Sequence, residues 1–391
     1  MVCSKETQAT ACPGGARNTR MIKEENMSRF NVRCLVLQLA TSCVLTMASL
    51  TAVAQEPAKV DQGIDIKPLC GSQPIRVALV DGYGGDTWRK TTVAELKDEA
   101  SACDNLTIAG YTDAGGNRQA YNAAINGYAA QGYEIILAFT DFGEAAIPAY
   151  RRANGNGTTM VPYFNQLSGR PGFDYAVNPY QDSYAIGQTY AQWMAKALDG
   201  QGNVLMLGGP AGATSSSIFL KGFKKGLAAH PGLKLLDQNF IATNWNPADA
   251  QKAAAGLIAK YGDRIDGIAS DFGVTALATA KAFQQSGTRM PALATVASNN
   301  ELNCLYRQSV KNGNGWKYLA LDGTTADIRF ALRQALAAHN HVDIDEPLGV
   351  VPYVYADSTT NTMPACSKSA PPDADLSSLL PENKLEALFS Q

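Results

Sequence analysis

The side chains able to do chemistry in this chain gather at one kind of place, the polar end of an apolar run. They are Asp81-Gly82-Tyr83, Thr140-Asp141-Phe142, Phe164-Asn165-Gln166, Gly208-Gly209-Pro210, Asp271-Phe272, Ser298-Asn299-Asn300 and Asp322. Carboxylates and amides can hold the hydroxyls of a small solute through hydrogen bonds. Paired carboxylates can also work as acid and base, as they do in glycosidases. The blander role is capping of the helices that follow, which Asp and Asn fill often. Cations are scarce in the set, with Arg89 and Lys90 the nearest.

Residues 77–90, VALVDGYGGDTWRK, raise the question of a phosphate cradle. A dinucleotide fingerprint needs Gly-x-Gly-x-x-Gly, and here Gly82-x-Gly84 is followed by Thr87; no Gly-Lys-Ser/Thr of a P-loop is present. GGPAGATSSS (208–217) suits an anion at a helix N-terminus, but no basic residue follows until Lys221. The glycines beside Trp88 fit better with backbone that approaches a ligand closely. Trp88 then offers its ring to an apolar ligand face, the alternative being a core residue at a helix start.

Enzyme signatures are thin. The three histidines, His230, His339 and His341, lie in polar sequence, and neither Gly-x-Ser-x-Gly nor His-Glu-x-x-His occurs. Asp-Phe-Gly appears twice, in LAFTDFGEAA (137–146) and IASDFGVTAL (268–277), without the other parts of a kinase. The repeat reads as two strand-to-helix turns, one from each half of the chain.

These turns need a scaffold of alternating strands and helices. IRVALVD, LTIAGYTDA, EIILAFTD and TTMVPYFNQ read as strands, and the segments TTVAELKDEASAC, NRQAYNAAINGYAAQG and GEAAIPAYRRAN between them as helices. The pattern restarts with DYAVN as a short strand and DSYAIGQTYAQWMAKAL as a helix; NVLMLGG, KLLDQNFI, DGIASD, ALATVAS and YLALDG read as further strands. Repeated β-α units imply parallel sheets covered by helices on both faces. Two α/β domains of similar build result, and ligands of such sheets bind outside the carboxyl ends of the strands.

With 391 residues, a net charge of −2, 46% hydrophobic and 17% charged residues, the composition is that of a globular chain with room for two cores. No basic stripe for nucleic acid and no polybasic membrane patch is evident. A basic stretch (29–33) precedes the apolar run CLVLQLATSCVLTMASLTAVA (34–54), ending Ala52-Val53-Ala54, so export with cleavage after Ala54 is expected. The run is also about the length of a membrane anchor. Cys70, Cys103, Cys304 and Cys366 remain beyond it, an even number that suits disulfides in an oxidising compartment. Three connectivities are possible. Pairing Cys70 with Cys103 fits a strand start and the end of its following helix, which share one sheet edge, and leaves Cys304 with Cys366. No CxxC spacing supports zinc or thioredoxin chemistry.

DAGGNRQAYNAAINGYAAQGYEIIL, GGPAGATSSSIFLKGFKKGLAAHPGLKLL and DGIASDFGVTALATAKAFQQSG, in this order, resemble the type I, ribose-binding-protein-like periplasmic solute-binding proteins of bacterial ABC transporters. The likeness spans residues 75–354. It implies two Rossmann-like parallel-sheet domains joined by a three-segment hinge, with the ligand cleft between them. Residues 1–54 are then an extension and signal peptide, 55–74 a linker, 75–164 plus 323–350 the first domain, 165–322 plus 351–366 the second, and 367–391 a tail. The hinge falls near 164–166, 322–324 and 350–352. The implied ligand set is Asp81, Trp88, Asp141, Phe142, Asn165, Phe219, Asp271, Phe272, Asn299 and Asp322, with no metal and no cofactor. The implied activity is capture of a small solute by a periplasmic monomer and delivery to a membrane permease. The family's sugar binders commonly carry Arg after the Gly-Thr/Ser turn, whereas Ser217-Ile218-Phe219 stand here. A sugar or polyol is the first choice of ligand, and a nucleoside, aromatic or cationic solute the alternative. A secreted enzyme acting on a sugar-like substrate is the competing class.

Overall fold

The computed structural model describes residues 58–390. The apolar leader and its cleavage point after Ala54 lie outside the described residues. The chain runs β1 (Ala58–Lys59), β2 (Ile75–Asp81), α1 (Thr87–Ala100), β3 (Leu106–Asp113), α2 (Arg118–Ala130), β4 (Ile135–Phe139), α3 (Ile147–Gly155) and β5 (Thr159–Tyr163). Strands β2–β5 form one parallel sheet in the order β3-β2-β4-β5. Every residue of β4 is buried, and so are all but Arg76 in β2. Such continuous burial is what a sheet covered by helices on both faces requires.

The chain continues as β6 (Tyr180–Gln181), α4 (Ser183–Ala197), β7 (Gly202–Gly208), α5 (Thr214–Leu227), β8 (Leu233–Leu235), β9 (Ile241–Ala242), α6 (Pro247–Tyr261), β10 (Gly267–Ser270), α7 (Gly273–Ser286), β11 (Ala292–Val296), α8 (Asn300–Lys311) and β12 (Tyr318–Asp322). After α9 (Asp327–Asn340), β13 (Gly349–Val351) and β14 (Tyr353–Asp357), the last element is α10 (Glu382–Phe389). The second sheet has the order β14-β12-β11-β10-β7-β8, with β9 also on β7; β14 runs antiparallel to β12 and the other pairs are parallel.

Helix α9 follows a strand of the second sheet yet packs on the first. Its Ile328, Ala331, Leu332 and Leu336 share a core with Ile75, Leu137 and Val161. The chain thus passes between the lobes in three places: between β5 and α4, between β12 and α9, and between β13 and β14. β1, β13 and β6 pair in parallel there as a small sheet of their own. Phe164, at the first crossing, has a φ of 87°, a left-handed conformation uncommon for a non-glycine residue.

Two local readings change. Residues 174–178, DYAVN, do not form a strand. The Asp174 carboxylate accepts from the Arg170 amide at 2.7 Å and from Arg151 at 2.6 Å, and the Asn178 side chain accepts from the Leu167 amide at 2.8 Å. Side chain–backbone bonds of this kind offer the chain a turn in place of a ladder. KLLDQNFI divides into β8 and the separate β9.

Cys70 is bonded to Cys103, and Cys304 to Cys366.

Candidate functional site

The carboxyl ends of β2 and β4 bring Asp81 and Asp141 to one guanidinium. Asp86 caps α1 by accepting from the Arg89 amide, which starts the helix so that Arg89 points back over the sheet. Its Nη1 donates to Asp81 at 3.0 Å and its Nη2 to Asp141 at 2.8 Å. The guanidinium carbon lies 3.5 Å from the Phe139 ring centroid. Tyr111 donates to the other oxygen of Asp81 at 3.2 Å, and the Gly82 amide to Asp141 at 2.7 Å. Burial pushes Asp81 up to about 6, with Asp141 adding to the rise while Arg89 opposes it. Burial also raises Asp141, again against Arg89 and the Gly82 amide. Two carboxylates facing one cation leave this wall with an excess of acceptor.

Trp88 is half-buried between Phe139 and Phe164, edge-on to both, at 5.8 and 5.6 Å. Its indole N–H donates to the Thr324 hydroxyl at 3.0 Å, so it touches the crossing between β12 and α9. Phe142 is half-buried, edge-on to Tyr121 at 5.1 Å and tilted to the exposed Tyr83 at 5.9 Å.

On the second lobe, Asp271 directly follows β10. The Ser216 hydroxyl from α5 and the Trp245 indole N–H donate to its two oxygens, the latter at 3.0 Å. Burial pushes Asp271 up to about 6, held back by these two donors. Trp245 was not anticipated from sequence. It and Asn244 have φ of 50° and 53°, consecutive left-handed residues ahead of the Asn246 cap of α6. The indole lies on the Gly209 backbone, where a Cβ would stand 2.3 Å from it. Trp245 remains 38% exposed, so the ring keeps an open face. The only sequence signal was an aromatic just before an Asn-Pro helix start.

The other expected residues divide. Asn165 lines a cavity of about 400 Å³ together with Gln166, Tyr180, Gln181, Asp182 and Lys221, among others, so it faces the space between β5 and α5. Phe272 is half-buried at the N-terminus of α7. Phe219 is placed in the core instead: it is 2% exposed and stacks on Tyr190 at 6.2 Å, because its position on α5 faces the sheet. Ile218 and Lys221 are the α5 residues that reach the cavity. Asn299 caps α8, accepting from the Leu302 amide at 3.0 Å. Asp322 is fully buried and accepts from the amide and hydroxyl of Ser298. Burial, and then the nearby Asp375, raise it to about 7. In sequence Arg89 is only a cation near the strand exits; the fold makes it the partner of two acids. Among the described residues, no cluster of His, Cys, Asp or Glu could hold a metal ion.

A family model described as periplasmic binding protein domain matches residues 77–314, more than half of the chain. The chain belongs to the periplasmic binding protein family. A xylitol-binding protein of Mycolicibacterium smegmatis is 26% identical over 277 residues, covering 70% of this chain and 72% of that protein. An ABC transporter solute-binding protein of Actinobacillus succinogenes with bound D-allose has a TM-score of 0.62 at 18% identity, covering 73% of this chain and 99% of the other. One from Burkholderia graminis in complex with D-arabinose gives 0.61 at 16% identity, covering 75% and 99%. These likenesses establish the two-lobed type I architecture of a periplasmic binding protein.

Proposed function

We propose that this chain captures a neutral sugar or polyol between its lobes and delivers it, chemically unchanged, to the membrane permease of an ABC-type importer. The observation that carries the reading is the pairing of Trp245 with Asp271: a partly exposed ring held by a buried acceptor, with Asp141 at the matching edge of the first lobe. An aromatic face suits the C–H side of a sugar ring, and carboxylates suit its hydroxyls. The likeness to a xylitol-binding protein supports the same class. An anionic solute is disfavoured, because Arg89 already serves two carboxylates. That same excess of acid makes a cationic solute the second reading.

Domain closure is the proposed mechanism. The lobes are 75–164 with 323–350 and 165–322 with 351–366, turning about the three crossings. A solute touching both walls stabilises the closed form by its differential contacts. The protein works as a monomer in the periplasm after removal of the leader. A thermal-shift panel of xylitol, pentoses, hexoses, amines and aromatics tests the reading. A solute held at about 1,000 times its Kd stabilises by about 4.1 kcal/mol. Stabilisation by amines alone would transfer the assignment to a cation, and recovery of an altered solute would establish an enzyme.

A further inference from the structure

Residues 364–390 lie outside the proposed Trp245–Asp271 and Asp141 walls, although Asp375 acts on Asp322, and they touch both lobes. The disulfide Cys304–Cys366 fastens the segment to α8. The Asn300 side-chain amide then donates to the carbonyls of Ser367, Ala370 and Pro371, at 2.8, 3.1 and 3.2 Å. The backbone amides of Asn300 and Glu301 donate to Ala374 and Pro372, each at 2.8 Å. The segment thereby satisfies the first two amides of α8, while the Asn299 cap accepts from Leu302.

The next contacts lie on the first lobe and on the crossings. The Thr87 hydroxyl, at the start of α1, donates to the Asp373 carbonyl at 2.6 Å. The Gly323 amide donates to the Ser377 hydroxyl at 2.9 Å, and the Tyr353 hydroxyl to the Ser377 carbonyl at 2.7 Å. Glu95 of α1 accepts from the Ser378 hydroxyl and from the Leu379 amide, and Lys384 of α10 pairs with Asp98 of α1. Ala374, Asp375 and Ser377 are buried, so this stretch is packed and not merely draped.

We propose that residues 364–390 are a strap, a fourth connection between the lobes that limits how far the cleft opens. Helices α1 and α8 begin at strand exits of opposite lobes, so opening separates their first turns. The strap is bonded to both, and opening beyond its reach must break either the Asp373, Ser378 and Lys384 contacts or those of Asn300 and Glu301. Its anchor on α8 is covalent and its grip on α1 is not, so the α1 end releases first. The ligand-free protein then samples a narrower range of openings than three crossings alone would permit. A larger competent fraction raises apparent affinity by that fraction.

The test is double electron–electron resonance on the chain from residue 55 onward, spin-labelled at Gln119→Cys and Lys252→Cys, exposed positions on α2 and α6. A protease site inserted between the exposed Lys368 and Ser369 allows the strap to be cut after folding. A second chain ends at Cys366, and near-ultraviolet circular dichroism reports whether the lobes stay packed. A longer, broader interlobe distance in the cut or shortened protein is the expected result. An unchanged distribution in both overturns the proposal. No solute is added, so failure of the sugar assignment leaves this measurement standing.

Discussion

Arg89 decides how the acids of the first lobe behave. Two carboxylates at the ends of neighbouring strands, Asp81 buried and Asp141 largely so, repel each other, and the guanidinium between them makes the arrangement tolerable. Removing one member of a buried ionic group commonly costs about 3–5 kcal/mol, because the remaining charge is left uncompensated. Arg89→Met should therefore lower stability by about that amount, and Asp81→Asn in the same chain should restore part of it. Urea unfolding of the single and double variants checks both statements. Asp271 permits a cleaner test of binding, since it has no ionic partner and its donors are a hydroxyl and an indole. A hydrogen bond to a charged group is worth about 1.5–3 kcal/mol, so Asp271→Asn should weaken solute binding about tenfold to a hundredfold. Trp245→Ala should weaken it also, and should lower stability by about 1–3 kcal/mol, because one oxygen of buried Asp271 loses its donor. Wild-type affinity by titration calorimetry in both variants would remove the second-lobe wall from the site.

Helices α4 and α5 show what an element needs from single residues. A Cβ on Gly222 would stand 2.0 Å from the Tyr184 carbonyl oxygen, and one on Gly187 2.2 Å from that of Phe219. The two backbones meet through these glycines, which lets α5 hold Ser216 against Asp271 and Phe219 against Tyr190. Gly222→Ala should cost about 1–3 kcal/mol through overpacking, or more if the backbones cannot part. It should also reduce solute affinity by displacing Ser216. Thermal melts with and without solute check this, and a neutral Gly222→Ala would show that the helices separate freely.

For the whole molecule, pH should act through buried acids. Asp81, Asp271 and Asp375 are raised to about 6 and Asp322 to about 7, burial being the chief cause in each. A carboxyl whose folded pKa exceeds its unfolded value takes up a proton on folding. Its contribution is fully present below the unfolded pKa and is lost as pH rises through the folded one. The melting temperature of the solute-free protein should therefore fall as pH rises from about 4 to about 7. Asp98, Glu134 and Asp174 are lowered and work in the opposite sense, but only at more acidic pH. Asp322→Asn and Asp375→Asn should each flatten the decline. A melting temperature that rises across this interval would contradict the prediction. The disulfides act at the same scale. They close stretches separated by 33 and 62 residues, and loss of each should cost about 2–4 kcal/mol.

The alternation of apolar runs with helical segments was enough to indicate two parallel-sheet lobes, because a strand buried on both faces is written as a continuous apolar run. The polar strand exits were legible for the same reason: Asp81, Asp141 and Asp271 stand where the apolar pattern stops. What those residues touch depends on approaches between distant segments, which no local pattern encodes. Arg89 reaches Asp141 across 52 positions and Trp245 reaches Asp271 across 26. Phe219 and Asn299 have the residue types of a binding site, but helix rotation turned one into the core and helix capping occupied the other. Residues 174–178 read as a strand by composition, and Asp174 and Asn178 made them a turn through their own side chains. The C-terminal segment has helical spacing only at Leu385, Leu388 and Phe389, in α10; residues 364–381 carry no periodicity that marks them as structural. Only the fold, by placing the first turns of α1 and α8 on either side of it, gave its backbone groups partners on both lobes.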